Sequence, residues 1–430
     1  MAPVPTSNPG LVRSLRRRDL VAVVINGVIG AGIFGLPSKM FALAGDFSLL
    51  SFVVCLLCVS FIVLSFAEVS SRFSETGGPY FFARATYGPM TGFAVGWLVW
   101  LTRVTSFSAN CSLLPDYLGF FAPTLASGLP RALIVTTVVV ALAAVNIRGL
   151  RLVTDSGNVF AIGKLVLLAA FVVGGLFFVA TRKFPAVVAP GYHPFSQSVL
   201  LLVYAFTGFE VAVIPAGEIR NPQKTLPSAL MLGMGIVAIV YMLIQLVCIG
   251  TLPGLATSQR PLADAAASFM GTSGAVMITA AIVISLAGNL NVNIFTASRL
   301  IFAMAERDEL PKGLAAIHPR FRTPAAAVVL TTVVMLALTL SGTFVYLITL
   351  SVLARLVAYF VTCSAVPVLR RRLKTAASFH LPGGMVIPVA GMLVIIWLLS
   401  NSTLSQVGSA VIATLVGLTA YWLNRCFRRA

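Results

Sequence analysis

Glycines at positions 27, 30, 32 and 35, followed by Pro37, interrupt the first apolar stretch of this chain in the sequence GVIGAGIFGLP. A continuous helix through that run would be weak, and backbone freed from helical pairing at bilayer depth is tolerated only where protein or a polar cavity satisfies it. The chemistry on offer there belongs to the main chain. The amides of Ala31, Gly32 and Ile33 would open a second half-helix and attract a carboxylate, while the carbonyls of Val28 and Ile29 would close the first and attract a cation. The run VYAFTGFEVAVIPAGE (203–218) repeats the pattern, with Gly208 and Pro215 echoing Gly30 and Pro37. Its carbonyls at Ala205, Phe206 and Thr207 would suit an ammonium group. Together the two interruptions describe a pocket for the backbone of an α-amino acid, indifferent to the side chain.

Five ionisable residues fall inside otherwise apolar stretches: Arg103, Lys164, Glu210, Arg299 and Arg355. Each costs roughly 2.5–3.5 kcal/mol at mid-span on insertion scales. Glu210, two residues past Gly208, reads as the one carboxylate well inside the apolar core, placed either to tie down unwound backbone or to carry a proton. Guanidinium stays charged and needs a partner. Arg299, near the cytoplasmic end of its stretch, would snorkel or support an inner gate. Arg103 and Arg355 lie deeper, and one glutamate cannot neutralise both along with Lys164. That surplus suggests a site favouring a substrate carboxylate and argues against a cationic substrate. Asn289 and Asn293, four apart on one helix face, would touch substrate or the first interrupted helix, or bond simply between helices.

The elements that must position these groups are membrane helices. The chain has 430 residues, 58% of them hydrophobic and 10% charged, with a mean hydropathy of +0.98; a soluble domain carries about a quarter charged residues. Spans of about 20 residues can be drawn roughly twelve times, giving an all-α integral membrane protein. The net charge of +18 follows the loops. With the N-terminus in the cytoplasm, that side receives Arg16, Arg17, Arg18, Arg148, Arg151, Arg320, Arg322, Arg370, Arg371 and Arg372, while the opposite loops carry Arg131, Arg182, Lys183 and Arg260. The positive-inside rule then puts both termini in the cytoplasm. The basic balance is topological: it implies no nucleic acid, and anionic membrane lipid is its polyanionic contact.

Each interruption is followed by four more apolar segments, and an odd number of spans per unit forces two copies into opposite orientation. The expected division is a cytoplasmic segment 1–19, a first repeat 20–181, a second repeat 195–368, two further helices in 384–424 and a tail 425–430. Loops 70–89 and 306–324 are long enough for small helices at a gate. The polar, basic N-terminus shows no removable signal peptide. Cys55 and Cys58, with no histidine near, read as buried thiols and not as a metal or redox site. GTSG (271–274) looks superficially like an intramembrane protease motif, but His193, His318 and His380 all fall in loops and no HExxH is present. A polytopic enzyme is therefore disfavoured.

GVIGAGIFGLP, ETGGPYFFARATYGPMTGFAVGW (75–97) and VYAFTGFEVAVIPAGEIRNPQKTLPSAL (203–230) resemble the signatures of the amino acid–polyamine–organocation (APC) superfamily of secondary transporters. The resemblance spans essentially the whole chain. It implies a five-plus-five inverted-repeat (LeuT-like) core with two extra helices, alternating access, and substrate held between the first and sixth helices in a bacterial inner membrane. The family's first-helix motif maps to Gly30, Ala31 and Gly32, and its G-x-E element to Gly208, Phe209 and Glu210. Tyr204 corresponds to an aromatic gate in some members, or is an ordinary interfacial tyrosine. Lys164 resembles the lysine that stands in the sodium position of proton-coupled and sodium-independent members, where it could shuttle a proton; the alternative is a lysine snorkelling to the headgroups. The expected activity is proton-coupled symport of neutral amino acids, without cofactor. Sodium-independent exchange, carriage of acidic amino acids, and a transporter-like sensor are the alternatives.

Overall fold

The computed structural model describes residues 13–30, 32–119, 121–179, 190–341, 344–372, 378–381, 383–400 and 404–427. Among these the chain is helical, and the one β-type pairing is an isolated parallel bridge between Leu15 and Ile219. The first interrupted stretch forms α1 (Arg17–Val28) and α2 (Gly32–Ala44), followed by α3 (Ser48–Ser70), α4 (Pro79–Tyr87), α5 (Pro89–Leu118), α6 (Gly128–Arg148) and α7 (Leu150–Val179). The second half comprises α8 (Tyr192–Ala205), α9 (Pro222–Thr251), α10 (Pro261–Glu306), α11 (Ala325–Ser341), α12 (Phe344–Arg372), α13 (Val386–Ser400) and α14 (Leu404–Phe427).

Six described stretches are long and apolar enough to cross a membrane: Gly32–Ser70, Gly128–Arg148, Leu150–Val179, Pro222–Thr251, Pro261–Glu306 and Val352–Arg372. Local chemistry sets several boundaries. Pro79, Pro89, Pro222 and Pro261 each open a helix, where the missing N–H removes no intrahelical bond. Within α10, Gly271 leaves helical geometry (φ 64°, ψ −154°) and separates a short leading helix from the long one that follows. Exposed Leu57, Val140, Ile162, Phe177, Ile239 and Ile412 lie on outward faces, as a hydrocarbon solvent requires. The interior holds Arg103, Lys164 and Arg299 among its largest fully buried side chains.

The first interruption falls where the glycines put it, between Val28 and Gly32. The sixth stretch departs from a span running through residue 217. Its α-helix ends at Ala205, and beyond Gly208 the chain makes 3-10 turns at Phe209–Val213 and Ala216–Glu218. Pro215 has no amide to continue an α-helix, and the Gly208 amide bonds the Glu210 carboxylate at 3.0 Å. The small helix expected in 70–89 is α4; the loop 306–324 holds a 3-10 turn at Lys312–Ala315.

The two interruptions meet back to back. A Cβ on Gly208 would lie 2.4 Å from the Gly27 carbonyl oxygen, and one on Gly27 would lie 2.7 Å from the Gly208 carbonyl oxygen. Gly208 also sits at φ 109°, where an L side chain is strained. Gly208→Ala therefore combines a backbone penalty of about 1–2 kcal/mol with overpacking against main chain of about 1–3 kcal/mol. Thermal unfolding of the detergent-purified variant should show a clearly lowered midpoint; an unchanged midpoint would contradict this contact.

Candidate functional site

A cavity of about 50 Å³ lies where the interruptions meet. Gly27, Val28, Gly30 and Gly32 line it from the first interruption, and Ala205 and Thr207 from the second. The remaining wall is polar: Arg103, Ser106 and Asn110 from α5, Tyr241 from α9, Asn289 and Asn293 from α10, and Arg355 from α12. A space of this size holds about one or two water molecules, so a larger guest needs the surrounding helices to part.

Of the residues singled out from sequence, Val28, Gly30, Gly32, Arg103, Ala205, Thr207 and Asn293 come together on this wall. Ile29, Ile33 and Phe206 do not line it; each is fully buried elsewhere. The Phe206 ring packs on Tyr241, centroids 5.2 Å apart. Gly208 lies behind the wall, against Gly27. Ala31 and the side chain of Tyr204 lie outside the described residues.

The carbonyls of Val28 and Ile29, expected to draw a substrate cation, are used internally. The Val28 oxygen accepts from the Gly30 amide at 2.9 Å and the Tyr241 hydroxyl at 3.2 Å. The Ile29 oxygen accepts from Lys164 Nζ at 2.9 Å and Ser285 Oγ at 2.9 Å. Two bonds fill a carbonyl's two lone pairs. Further back, Asn289 Nδ2 donates to the oxygens of Asn26 (2.9 Å) and Gly27 (3.1 Å). Its Oδ1 accepts from Asn110 Nδ2 (2.7 Å) and Asn293 Nδ2 (2.8 Å). Thus α1 ends in a carbonyl cluster capped by side chains from α7, α9 and α10, which is how freed backbone survives in an apolar interior.

Lys164 is fully buried, with Nζ bonded to Ile29 and, at 3.3 Å, to the Ser285 oxygen. It does not snorkel. Glu210 is the hub of a second network. One of its oxygens meets Arg103 Nη2 and, at 3.2 Å, Arg355 Nε; the other accepts from the Tyr359 hydroxyl at 2.5 Å and the Gly208 amide. Arg355 also donates to Thr207 Oγ1 and, at 3.2 Å, to Ser106 Oγ. This arrangement pins the second interruption to α5 and α12.

Glu210 is not alone among buried carboxylates. Glu218 is 1% exposed and pairs two-pronged with buried Arg299, at 2.8 Å to Nε and 3.4 Å to Nη2. Arg299 therefore does not snorkel either, and its guanidinium also sits 4.1 Å over the Phe295 ring. The Glu218 carbonyl accepts the amides of Ser14 and Leu15 at 3.0 Å, and Arg220 returns an amide to Leu15 at 3.0 Å. Nearby, Glu309 accepts from Arg84 and from the Tyr80 hydroxyl at 2.8 Å, while burial pushes the Tyr80 phenol up to about 12. These bonds join the N-terminal segment, α4, the second interruption and the end of α10 to one another. At the other end, a cavity of about 280 Å³ opens among Phe34, Tyr117, Gln259, Arg260 and Thr279.

The sequence profile of a family described as amino acid permease matches residues 15–423. The chain is similar to the serine/threonine exchanger SteT of Bacillus subtilis, 27% identical over 96% of each protein. The branched-chain amino acid permease BcaP of the same organism is 26% identical over 96% of this chain and 93% of its own length. The methylthioribose transporter of that organism is also 26% identical, over 97% of this chain and 94% of its own length.

Proposed function

The chain belongs to the amino acid permease family, a premise from which we propose that it carries an amino acid by alternating access, with the substrate backbone held between its two helix interruptions. It is a multi-pass membrane transporter and not an enzyme. The observation that carries the mechanism is the meeting of the interruptions: Gly27 and Gly208 abut, and one cavity takes its wall from both.

In this reading the fold is two five-helix repeats, 20–181 and 195–368, inverted relative to each other, followed by two further helices, about twelve spans in all. Both termini face the cytoplasm of an inner membrane, where the basic loops meet anionic lipid. The amides that begin α2 take the substrate carboxylate. With the Val28 and Ile29 oxygens engaged by side chains, the ammonium falls to the second interruption, at Ala205 and Thr207, which line the cavity. The bonds among Ser14, Leu15, Glu218, Arg299 and Arg220 form the closed inner gate, and the cavity at the opposite end is the entry path. Opening inward requires those bonds to break while the outer cavity closes.

The coupling ion is a proton and its carrier is Lys164, whose ammonium stands against the first interruption. Exchange is the second reading, favoured by the naming of one relative as an exchanger. Purified protein in liposomes, offered a panel of labelled amino acids with and without an inward acid gradient, separates the two. Symport predicts accumulation that rises with the gradient into empty vesicles. Uptake that ignores the gradient and requires internal amino acid would establish exchange instead.

A further inference from the structure

We propose that the side chain of the carried amino acid is anionic, a carboxylate being the group that the central cavity is built to receive. This rests on the reading of the cavity as an amino acid site and adds to it the substrate class.

Arg103 and Arg355 both line the cavity and are 1% and 6% exposed. They share one carboxylate, that of Glu210. Its oxygens are also occupied by the Tyr359 hydroxyl and the Gly208 amide, so it has little capacity to take on more. Two guanidinium charges against one carboxylate leave the cluster with one net positive charge in a buried site. An uncompensated charge there is costly, and an arriving anion relieves the cost. Arg103 Nε, buried, makes no hydrogen bond in the structure, and Arg355 Nε has only its 3.2 Å approach to the shared Glu210 carboxylate. The Arg103 guanidinium therefore has unused donor capacity beside a cavity that both arginines line, and a charge-assisted bond to a carboxylate would use it.

The substrate's own α-carboxylate does not use up this capacity. Main-chain amides at the start of α2 provide for it, whereas the two arginines reach the cavity from α5 and α12, which carry neither interruption. A cationic side chain would add to the surplus, and a neutral one would leave it unmatched. The fold itself does not fix the side chain: relatives of 26–27% identity are named for serine and threonine, branched-chain amino acids, and methylthioribose. The cavity wall decides.

The test is competition for uptake by the wild-type protein in liposomes, with L-glutamate, L-aspartate, L-serine, L-leucine and L-arginine as the probes. Glutamate or aspartate should be carried, and should be preferred over serine and leucine by at least about tenfold, because a site with buried donors rejects analogues that leave them unpaired. Arg355→Gln should raise the half-saturating concentration of the acidic substrate by at least about tenfold, in protein that remains monodisperse in detergent. The wild-type panel stands without that variant if it fails to fold. Uptake of serine, leucine or arginine with no carriage of, or inhibition by, glutamate and aspartate would overturn the proposal and leave the transporter reading standing. Absence of uptake for every amino acid would overturn both.

Discussion

Glu210→Ala should lower stability by about 3–5 kcal/mol, the cost of removing one partner from a buried ion pair, and should abolish transport. The carboxylate is the common acceptor for Arg103, Arg355, the Tyr359 hydroxyl and the Gly208 amide. Its loss strands two guanidinium groups and frees the amide at the turn of the second interruption. Whole-protein stabilities are about 5–15 kcal/mol, so the variant should unfold at a much lower temperature in detergent or be recovered in poor yield. Glu210→Gln keeps an acceptor for Tyr359 or Gly208 and should fall between the two. A double variant that also carries Arg103→Met should lose less than the sum of the single changes, because it removes a charge that Glu210→Ala leaves unpaired. Additive losses, or an unaffected Glu210→Ala, would show that the cluster does not act as a unit.

What the sequence made legible was local. Gly30 and Gly32 mark the first interruption because glycine acts on its own backbone, whereas Pro37 sits inside the continuous helix α2; Gly208 with Pro215 marks the second. The positions that line the cavity from those segments follow directly: Val28, Gly30, Gly32, Ala205 and Thr207. What stayed hidden was supplied from a distance. Tyr241, Ser285 and Tyr359 are scattered polar residues on apolar helices, and Ser106 and Asn110 are two among several in the run 102–112, with nothing in the local sequence to single them out. Only folding brings Tyr241 to Val28 and Ser285 to Ile29. The partners that engage the Val28 and Ile29 carbonyls were hidden for that reason. Glu218 was similarly concealed at the margin of a span, where a carboxylate is normally solvated, until Arg299 from α10 buried it. The charge surplus was legible from composition alone, because Arg103 and Arg355 stay charged wherever they sit.

Lys164→Met should abolish gradient-driven uptake while leaving the fold intact. Methionine fills a similar volume and removes a buried ammonium whose two acceptors, the carbonyls of Ile29 and Ser285, are both uncharged. Replacing a buried charge by an apolar side chain of similar size is often neutral or stabilising. The Ile29 oxygen keeps the Ser285 hydroxyl at 2.9 Å, so the change leaves no orphaned acceptor there. The thermal midpoint should therefore stay within a few degrees of wild type, about 1 kcal/mol or less. Function should respond differently. Because its acceptors are carbonyls, the lysine can hold its place with or without its third proton, and a proton gained or lost at Nζ changes the charge beside the first interruption directly. Methionine removes that link. Residual uptake by the variant should be at least about tenfold slower and flat across an imposed pH gradient, a loss of roughly 1.4 kcal/mol or more in the coupled step. A variant that kept the wild-type response to the gradient would assign the proton to another group. A variant that unfolded would make Lys164 a structural clamp on the end of α1.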